Sequence, residues 1–299
     1  MKILILGGNG FLGSNLAQFL KNKGYSVTCF DIVYPQKRVP GIQYVKGNFF
    51  DETDLIPYLQ DAEVVFHAIS TINPGNSNVK YMFAYSNDFL QSVKLAQFSK
   101  EYEFKLIYFS SGGTVYGNQD VQPIKETATS IPINHYGNIK LCIENTYRTF
   151  NRQIGTNIII ARIANPYGPG QDYTKGVGFI DATLKKAIHH ETLQVYGDGS
   201  VIRDYIYIDD VCKMLEQLIN YSGSCEVFNL GTGVGVSQKE IIEIVRKITG
   251  ELSVQYVPSR SIDVPKIVLD NSRMKGLITF ECIAVKDGIE MYYRDIKEL

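Results

Sequence analysis

This 299-residue chain has no charge excess, no paired cysteines and no long apolar run. Lys and Arg together number 30 against 31 Asp and Glu, a formal net charge of −1. A chain so balanced presents no basic face to a phosphate backbone, and nucleic acid is not expected as a partner. Its five cysteines (Cys29, Cys142, Cys212, Cys225 and Cys282) are scattered and contain no CxxC pair. That spacing suits neither a zinc site nor a disulfide framework; no metal is expected, and the thiols read as those of a reduced, cytoplasmic protein. The apolar start, Met1–Gly7, is too short for a signal segment or a membrane span, and no later stretch reaches spanning length. Internal repeats, low-complexity tracts and interdomain linkers are also missing. What is present is an ordinary globular balance, 44% hydrophobic and 20% charged, over a length that allows one large domain with a smaller lobe.

The first half alternates β-branched runs with helical patterns, the signature of an α/β fold with a doubly wound parallel (Rossmann) sheet. Strands are predicted at Lys2–Leu6, Ser26–Phe30, Gln43–Lys46, Val64–His67, Lys105–Ser110 and Asn157–Ala161. Helices are predicted at Phe11–Lys23, Val79–Lys100 and Asn134–Gln153. Beyond Pro166, glycine and proline become frequent, one helix is predicted at Ile180–His190, and strands shorten. This texture predicts a sheet domain over 1–165, completed by about 203–235, and a smaller discontinuous C-terminal lobe from 166–202 and 236–299.

Gly7-Gly8-Asn9-Gly10-Phe11-Leu12-Gly13 follows the first strand and opens the first helix. Glycines there permit a tight turn, close approach of backbone to a pyrophosphate, and close helix–sheet packing, with phosphate charge at the helix N-terminus. Asp31 follows the second strand, where a carboxylate accepts hydrogen bonds from an adenosine ribose diol and repels a 2′-phosphate. NAD is therefore favoured over NADP. Tyr136 and Lys140 stand four apart, on one face if the segment is helical. Alone, such a pair also suits an amphipathic surface. Beside a nucleotide site, the ammonium should draw a phenol pKa of ~10 toward neutrality, making Tyr136 a base for a substrate hydroxyl. Of the four histidines, His67 reads as structural, His135 as a loop residue beside Tyr136, and His189-His190 as a solvated helix end.

Further segments carry a resemblance: Tyr108–Gly117, Arg162–Gly170, Tyr196–Gly199, Arg203–Ile206, Phe228–Gly233 and Arg260–Pro265. With the glycine loop and Tyr136–Lys140, in this order, the chain resembles the extended short-chain dehydrogenase/reductase family in its nucleotide-sugar epimerase/dehydratase branch. The resemblance implies that Gly7, Gly10, Phe11, Leu12 and Asp31 line NAD and that Asn48 and Phe49 contact the adenine. It places Ala68 and Ile69 beneath the cofactor and Ser110 and Ile163 beside it, and makes Tyr136 and Lys140 the catalytic pair. Asn165, Arg203 and Arg260 match residues that hold a substrate diphosphate, and Tyr196 matches the ring against the base. Such enzymes commonly dimerise through the two helices that here are Val79–Lys100 and Asn134–Gln153.

One departure stands out. Where the family places a Ser or Thr, four residues before Tyr116, this chain has Gly112. Strand parity makes Thr114 the substitute, with Ser111 the alternative if the strand end bulges. Gly113 and Thr114 also replace the Asp-Glu pair of dehydratases, which disfavours elimination. The activity implied is carbon-4 epimerisation of a UDP-hexose or UDP-N-acetylhexosamine. A 4-ketoreductase and a non-catalytic NAD-binding protein are the alternatives. Ile267, seven residues after Arg260, stands where stricter relatives carry a tyrosine, which leaves room for an acetamido group.

Overall fold

Buried apolar runs closed by glycine or helix caps organise the first half of the chain. In the computed structural model, which describes residues 1–259 and 264–298, the first run is β1 (Lys2–Leu6) and the glycine loop leads into α1 (Phe11–Asn22). There follow β2 (Ser26–Asp31), β3 (Ile42–Lys46), α2 (Glu52–Leu59) and β4 (Val64–His67). The helical arm expected over Val79–Lys100 is α3 (Ser77–Ala84), a π-turn (Tyr85–Phe89) and α4 (Leu90–Glu101). Next come β5 (Lys105–Ser111), α5 (His135–Ile154), β6 (Ile158–Ile163) and β7 (Asn165–Tyr167).

The second half holds more helix than its glycine content suggested. It runs through α6 (Phe179–Ile188), β8 (Leu193–Tyr196), β9 (Ile202–Tyr207), α7 (Ile208–Asn220) and β10 (Val227–Leu230). β11 (Gly235–Ser237), α8 (Gln238–Thr249), β12 (Val254–Val257), β13 (Lys266–Ile267), α9 (Ser272–Lys275) and α10 (Val285–Lys297) complete it. No helix among the described residues is long and apolar enough to cross a membrane.

Seven parallel strands form the main sheet in the order β10-β6-β5-β4-β1-β2-β3. β4 and β6 are buried along their whole length, as strands covered on both faces must be. Alternate residues feed two cores. Ile3, Ile5 and Phe109 join the core that takes in α1 and α7, whereas Leu4, Leu6 and Tyr108 join the one that takes in α2, α4 and α5. Strand order reverses between β1 and β4, so a crevice opens beyond the carboxyl ends of those two strands. The remaining strands make two small sheets, β11-β9-β13 with β7 on β9, and β12-β8.

α5 carries the Tyr136–Lys140 pair and its ends are well defined. The Asn134 side chain accepts from Gly137 N at 2.8 Å, and Gly155 closes the helix in the left-handed region at φ 67°.

Candidate active site

Each glycine of the opening loop answers a steric demand. Gly7 turns at φ 82°, and a Cβ there would lie 3.1 Å from Ile69 Cγ1 and 3.3 Å from the Ala68 carbonyl carbon. A Cβ on Gly13 would press into Gly7 O, which is how α1 lies close on the loop. Gly10 caps α1 without a side-chain hydrogen bond, and a Cβ on it would meet only Gly7 O, at 3.4 Å. The first-turn N–H groups of Phe11, Leu12 and Gly13 have no intrahelical acceptor, and that turn carries no acidic residue. A dinucleotide pyrophosphate fits this donor set at a helix N-terminus.

Asp31 ends β2 beside the same loop. Its Oδ2 accepts from Asn9 N at 3.1 Å, which aims the carboxylate at the loop mouth and leaves Oδ1 for a ribose diol. Asn48 is exposed, with Oδ1 taking the Phe50 N–H at 3.1 Å, so its amide N–H₂ is the group on offer to an adenine edge. Phe49 turns inward, with its ring 5.3 Å from that of His67. Ala68 and Ile69 follow β4 directly, and Ala68 N donates to Leu6 O at 3.0 Å. The glycine loop, Asp31 and the Ala68–Ile69 segment thus stand together at the β1/β4 reversal.

Tyr136 and Lys140 lie on one face of α5, with the Lys140 Nζ 5.6 Å from the Tyr136 ring centre. Lys140 is buried, donates to Phe109 O at 2.9 Å and sits 4.9 Å over the Tyr108 ring. Burial pushes the Lys140 ammonium down to about 8, against the pull of Asp88 and Glu144. Burial also pushes the Tyr136 phenol up to about 12, which corrects the expectation of a phenol drawn toward neutrality. In the protein alone, removal from water outweighs the neighbouring ammonium. His67 sits beneath the pair with Nδ1 3.0 Å from Tyr147 Oη, and burial holds its pKa well below the usual value, so it stays neutral.

Strand parity does not extend to Thr114, because β5 stops at Ser111 and Gly112–Thr114 form a turn. Thr114 N donates to Ser111 O at 3.3 Å, and the Thr114 Oγ1 is buried with no hydrogen-bond partner. Such an orphaned hydroxyl is unusual and suits a group held ready for a ligand. A Cβ on Gly112 would run into the Leu269 side chain and lie 3.2 Å from Arg162 O, so this position faces packed core. Ser111 is half-buried at the strand end. Ser110 faces inward and donates to Glu144, while Ile163 is buried and its carbonyl accepts from Gly112 N at 2.8 Å.

On the substrate side, Asn165 Nδ2 donates to Asp204 O at 3.0 Å, and its Oδ1 lies 3.5 Å from where a Gly113 Cβ would stand. Arg203 is on β9 with Nη1 on Ile202 O at 2.8 Å, directly opposite Ile267 of β13, which is buried. Tyr196, 38% exposed, ends β8. Arg260 lies outside the described residues. No group of His, Cys, Asp and Glu among the described residues is arranged to hold a metal ion.

Sequence reasoning passed over three buried carboxylates here, of which Glu144 on α5 is held by Ser110 and Arg162. Asp204 takes Thr232 N at 2.9 Å, Thr232 Oγ1 at 2.7 Å, Gly233 N at 3.1 Å and Leu269 N at 3.2 Å, tying the loops around Arg203 together. Asp88, in the π-turn, approaches Lys140 from the opposite helical arm. A lone carboxylate on the apolar stripe of Ala84, Leu95 and Ala96 was the available signal for it.

Comparison with known proteins follows this geometry. The model of the NAD dependent epimerase/dehydratase family matches residues 3–231. A UDP-glucose 4-epimerase of Halalkalibacterium halodurans is 29% identical over 94% of this chain and 90% of its own. A dTDP-4-dehydro-6-deoxyglucose reductase of Escherichia coli is 27% identical over 99% and 97%. Among solved structures, a UDP-glucose 4-epimerase of Thermotoga maritima with UDP-glucose superposes at a TM-score of 0.91, with 29% identity, covering 100% of this chain and 99% of that one.

Proposed function

The chain belongs to the NAD dependent epimerase/dehydratase family, and from that premise we propose that it inverts carbon 4 of a UDP-hexose or UDP-N-acetylhexosamine. NAD is its cofactor, and the open N-terminus of α1 with Asp31 and the Ala68–Ile69 floor is where this chain would hold it. The single observation that carries the reading is the pairing on α5 of a half-buried Tyr136 with a buried Lys140, which is fixed to the β5 carbonyl of Phe109.

When bound, NAD supplies a hydride acceptor that becomes a hydride donor. The chain supplies the proton chemistry. Tyr136 acts from its phenolate form, which burial opposes in the protein alone and the Lys140 ammonium favours: it takes the proton of the carbon-4 hydroxyl as that carbon is oxidised, and returns it to the same oxygen once the keto sugar has turned over in the pocket. Lys140 keeps positive charge beside the phenolate. Thr114, with Ser111 as its neighbour across the turn, has an uncommitted hydroxyl to orient the sugar oxygen. Asn165 and Arg203, with Arg260, are read as holding the diphosphate, and Tyr196 as stacking on the base. Neither Gly113 nor Thr114 offers the carboxyl group that elimination of water needs, so simple redox at carbon 4 is favoured. Residues 1–165, completed by about 203–235, form the NAD lobe in this reading, and 166–202 with 236–299 the substrate lobe.

The test is proton NMR of the anomeric signals after adding purified protein, without cofactor, to UDP-glucose and separately to UDP-N-acetylglucosamine. The galacto-configured product is expected in at least one tube. Reaction of UDP-glucose alone would remove the acetamido reading drawn from Ile267. The similarity to a 4-keto sugar reductase sustains a second reading, in which added NADH is consumed and a 4-keto nucleotide sugar is required. A tube that stays unchanged until NADH and such a keto sugar are supplied would establish it.

The protein is also read as a homodimer. Val79, Met82, Phe83 and Leu90 form an exposed apolar face on α3 and α4 (Val79 is 85% exposed), next to α5, and a second copy of the same face would cover it. Sedimentation at micromolar concentration decides this, and a monomer there would end it.

A further inference from the structure

Lys140 is nearly sealed from water, yet its role in proton transfer requires an ammonium, and a buried ammonium requires an anion. The charged and titratable groups facing it are Tyr136 and Glu144 on α5, Tyr108 on β5, His67 on β4 and Asp88 in the π-turn. Tyr108 and Tyr136 are held as neutral phenols by burial, and His67 is held neutral for the same reason. Two carboxylates remain. Glu144 is committed elsewhere: Arg162 reaches its Oε2 at 2.5 Å and both oxygens from Nε at 3.1 Å, and Ser110 donates to it as well.

Asp88 is not committed in this way. It is 4% exposed, its Oδ2 accepts from Thr71 N at 2.8 Å, and its Oδ1 is buried without a partner. Lys140, Tyr108 and the Ser70 and Thr71 hydroxyls face it. The π-turn holds Asp88 in place, with Ser92 Oγ donating to Asp88 O at 2.6 Å, and π-turns inside α-helical arms often mark functional positions. Lys140 has three donors, of which Phe109 O takes one.

We propose that Asp88 is the counter-ion of Lys140, a positioning residue that keeps the ammonium charged and so acts on Tyr136 through it. This rests on reading Tyr136 and Lys140 as the proton-transfer pair. No direct ion pair joins Asp88 and Lys140. Their coupling therefore acts through space, across the packing of the π-turn against α5. Without the carboxylate, burial is opposed chiefly by Glu144, whose charge is already paired with Arg162, and the lysine loses its proton at a lower pH.

The experiment uses the intact protein with isotope-labelled lysine, the Lys140 side-chain signal being assigned by its loss in Lys140→Met. Its titration is followed by NMR in the wild type and in Asp88→Asn, which keeps an acceptor for Thr71 N. The midpoint of Lys140 is expected to fall by about one unit in Asp88→Asn and to recover partly in Asp88→Glu. An unchanged midpoint would overturn the proposal. Should Asp88→Asn fail to fold, the wild type decides alone: the Lys140 signal must carry a second, smaller inflection at the pH where the Asp88 carboxyl carbon titrates, and a Lys140 signal blind to that step is equally fatal. No sugar nucleotide is in the tube, so these outcomes do not depend on the epimerase reading. In turnover, Asp88→Asn should lower kcat with KM unchanged and bring the alkaline limb of the kcat profile to lower pH. A coupled Lys140 in a protein that turns over no sugar nucleotide would sink the proposed function and leave this inference standing.

Discussion

Glu144 and Arg162 are locked together between α5 and β6, with Nη2 2.5 Å from Oε2 and the guanidinium 4.6 Å over the Tyr116 ring. Glu144 stands one turn beyond Lys140, so the pair sets the rotation of α5 over the sheet and with it the placement of Tyr136. Removing one partner of a buried pair leaves the other charge uncompensated, which costs far more than the pair contributes. Glu144→Ala is expected to lose about 3–5 kcal/mol in urea denaturation. A loss under about 1 kcal/mol would mean that Arg162 reaches another acceptor or water.

Lys140 works against the fold it serves. Its folded pKa of about 8 lies below the ordinary 10.5, so between those values the unfolded chain binds more protons and stability rises with pH. Below about 8 the full penalty is present, up to roughly 3 kcal/mol. Lys140→Met is therefore expected to abolish turnover while raising stability at neutral pH, the gain fading as pH climbs toward 10.5. Denaturation at neutral and alkaline pH checks the sign. A variant weaker than wild type at neutral pH would show that the Phe109 hydrogen bond and the ring contacts outweigh desolvation.

What could be read ahead of the structure follows from where the physics is local. A βα turn against a pyrophosphate needs glycine at set places, so Gly7, Gly10 and Gly13 announce themselves, and Asp31 follows from strand spacing. α7 escaped notice because Tyr207 passes into Ile208 with no glycine or proline between strand and helix, although Val211, Cys212, Leu215 and Leu218 repeat at helical spacing. Parity was the wrong rule at Thr114, where the strand had already ended. The phenol pKa of Tyr136 depends on burial by distant segments, which has no local trace. Asp88 meets Thr71 and Lys140 only through the fold, and one carboxylate in an amphipathic arm resembles any solvated charge.

Asp31 should decide between the two dinucleotides. In the proposed reading its Oδ1 would be the charge-assisted acceptor for the ribose diol, a bond typically worth about 1.5–3 kcal/mol. Asp31→Ala is expected to weaken NAD binding by roughly ten- to a hundredfold in calorimetry. NADP binding should fall much less, because the variant also removes repulsion of the 2′-phosphate. Equal losses for both would move the ribose contact elsewhere.

Restoring the family's hydroxyl at Gly112 should not help. The Cβ direction points at Leu269 and the core, so Gly112→Ser overpacks that contact at a cost of about 1–3 kcal/mol. Turnover is expected to stay flat or fall. A faster Gly112→Ser enzyme would mean that the 112–114 turn rearranges to admit the serine, and that neither Thr114 nor Ser111 fills the role at present.

Thr114 and Ser111 can then be separated by the sign of two effects. The Thr114 Oγ1 is buried without a partner, so exchanging it for a methyl removes an unsatisfied polar group at nearly constant shape. Thr114→Val is expected to leave the protein as stable or more so, while kcat falls about a hundredfold or more because the sugar oxygen loses its orienting hydrogen bond. Ser111→Ala removes a hydroxyl from a half-buried strand end and is expected to cost little in either respect. If the losses are reversed, with Ser111→Ala crippling turnover and Thr114→Val leaving it intact, the orienting hydroxyl is that of Ser111, and the orphaned oxygen of Thr114 is a defect of packing that the fold tolerates.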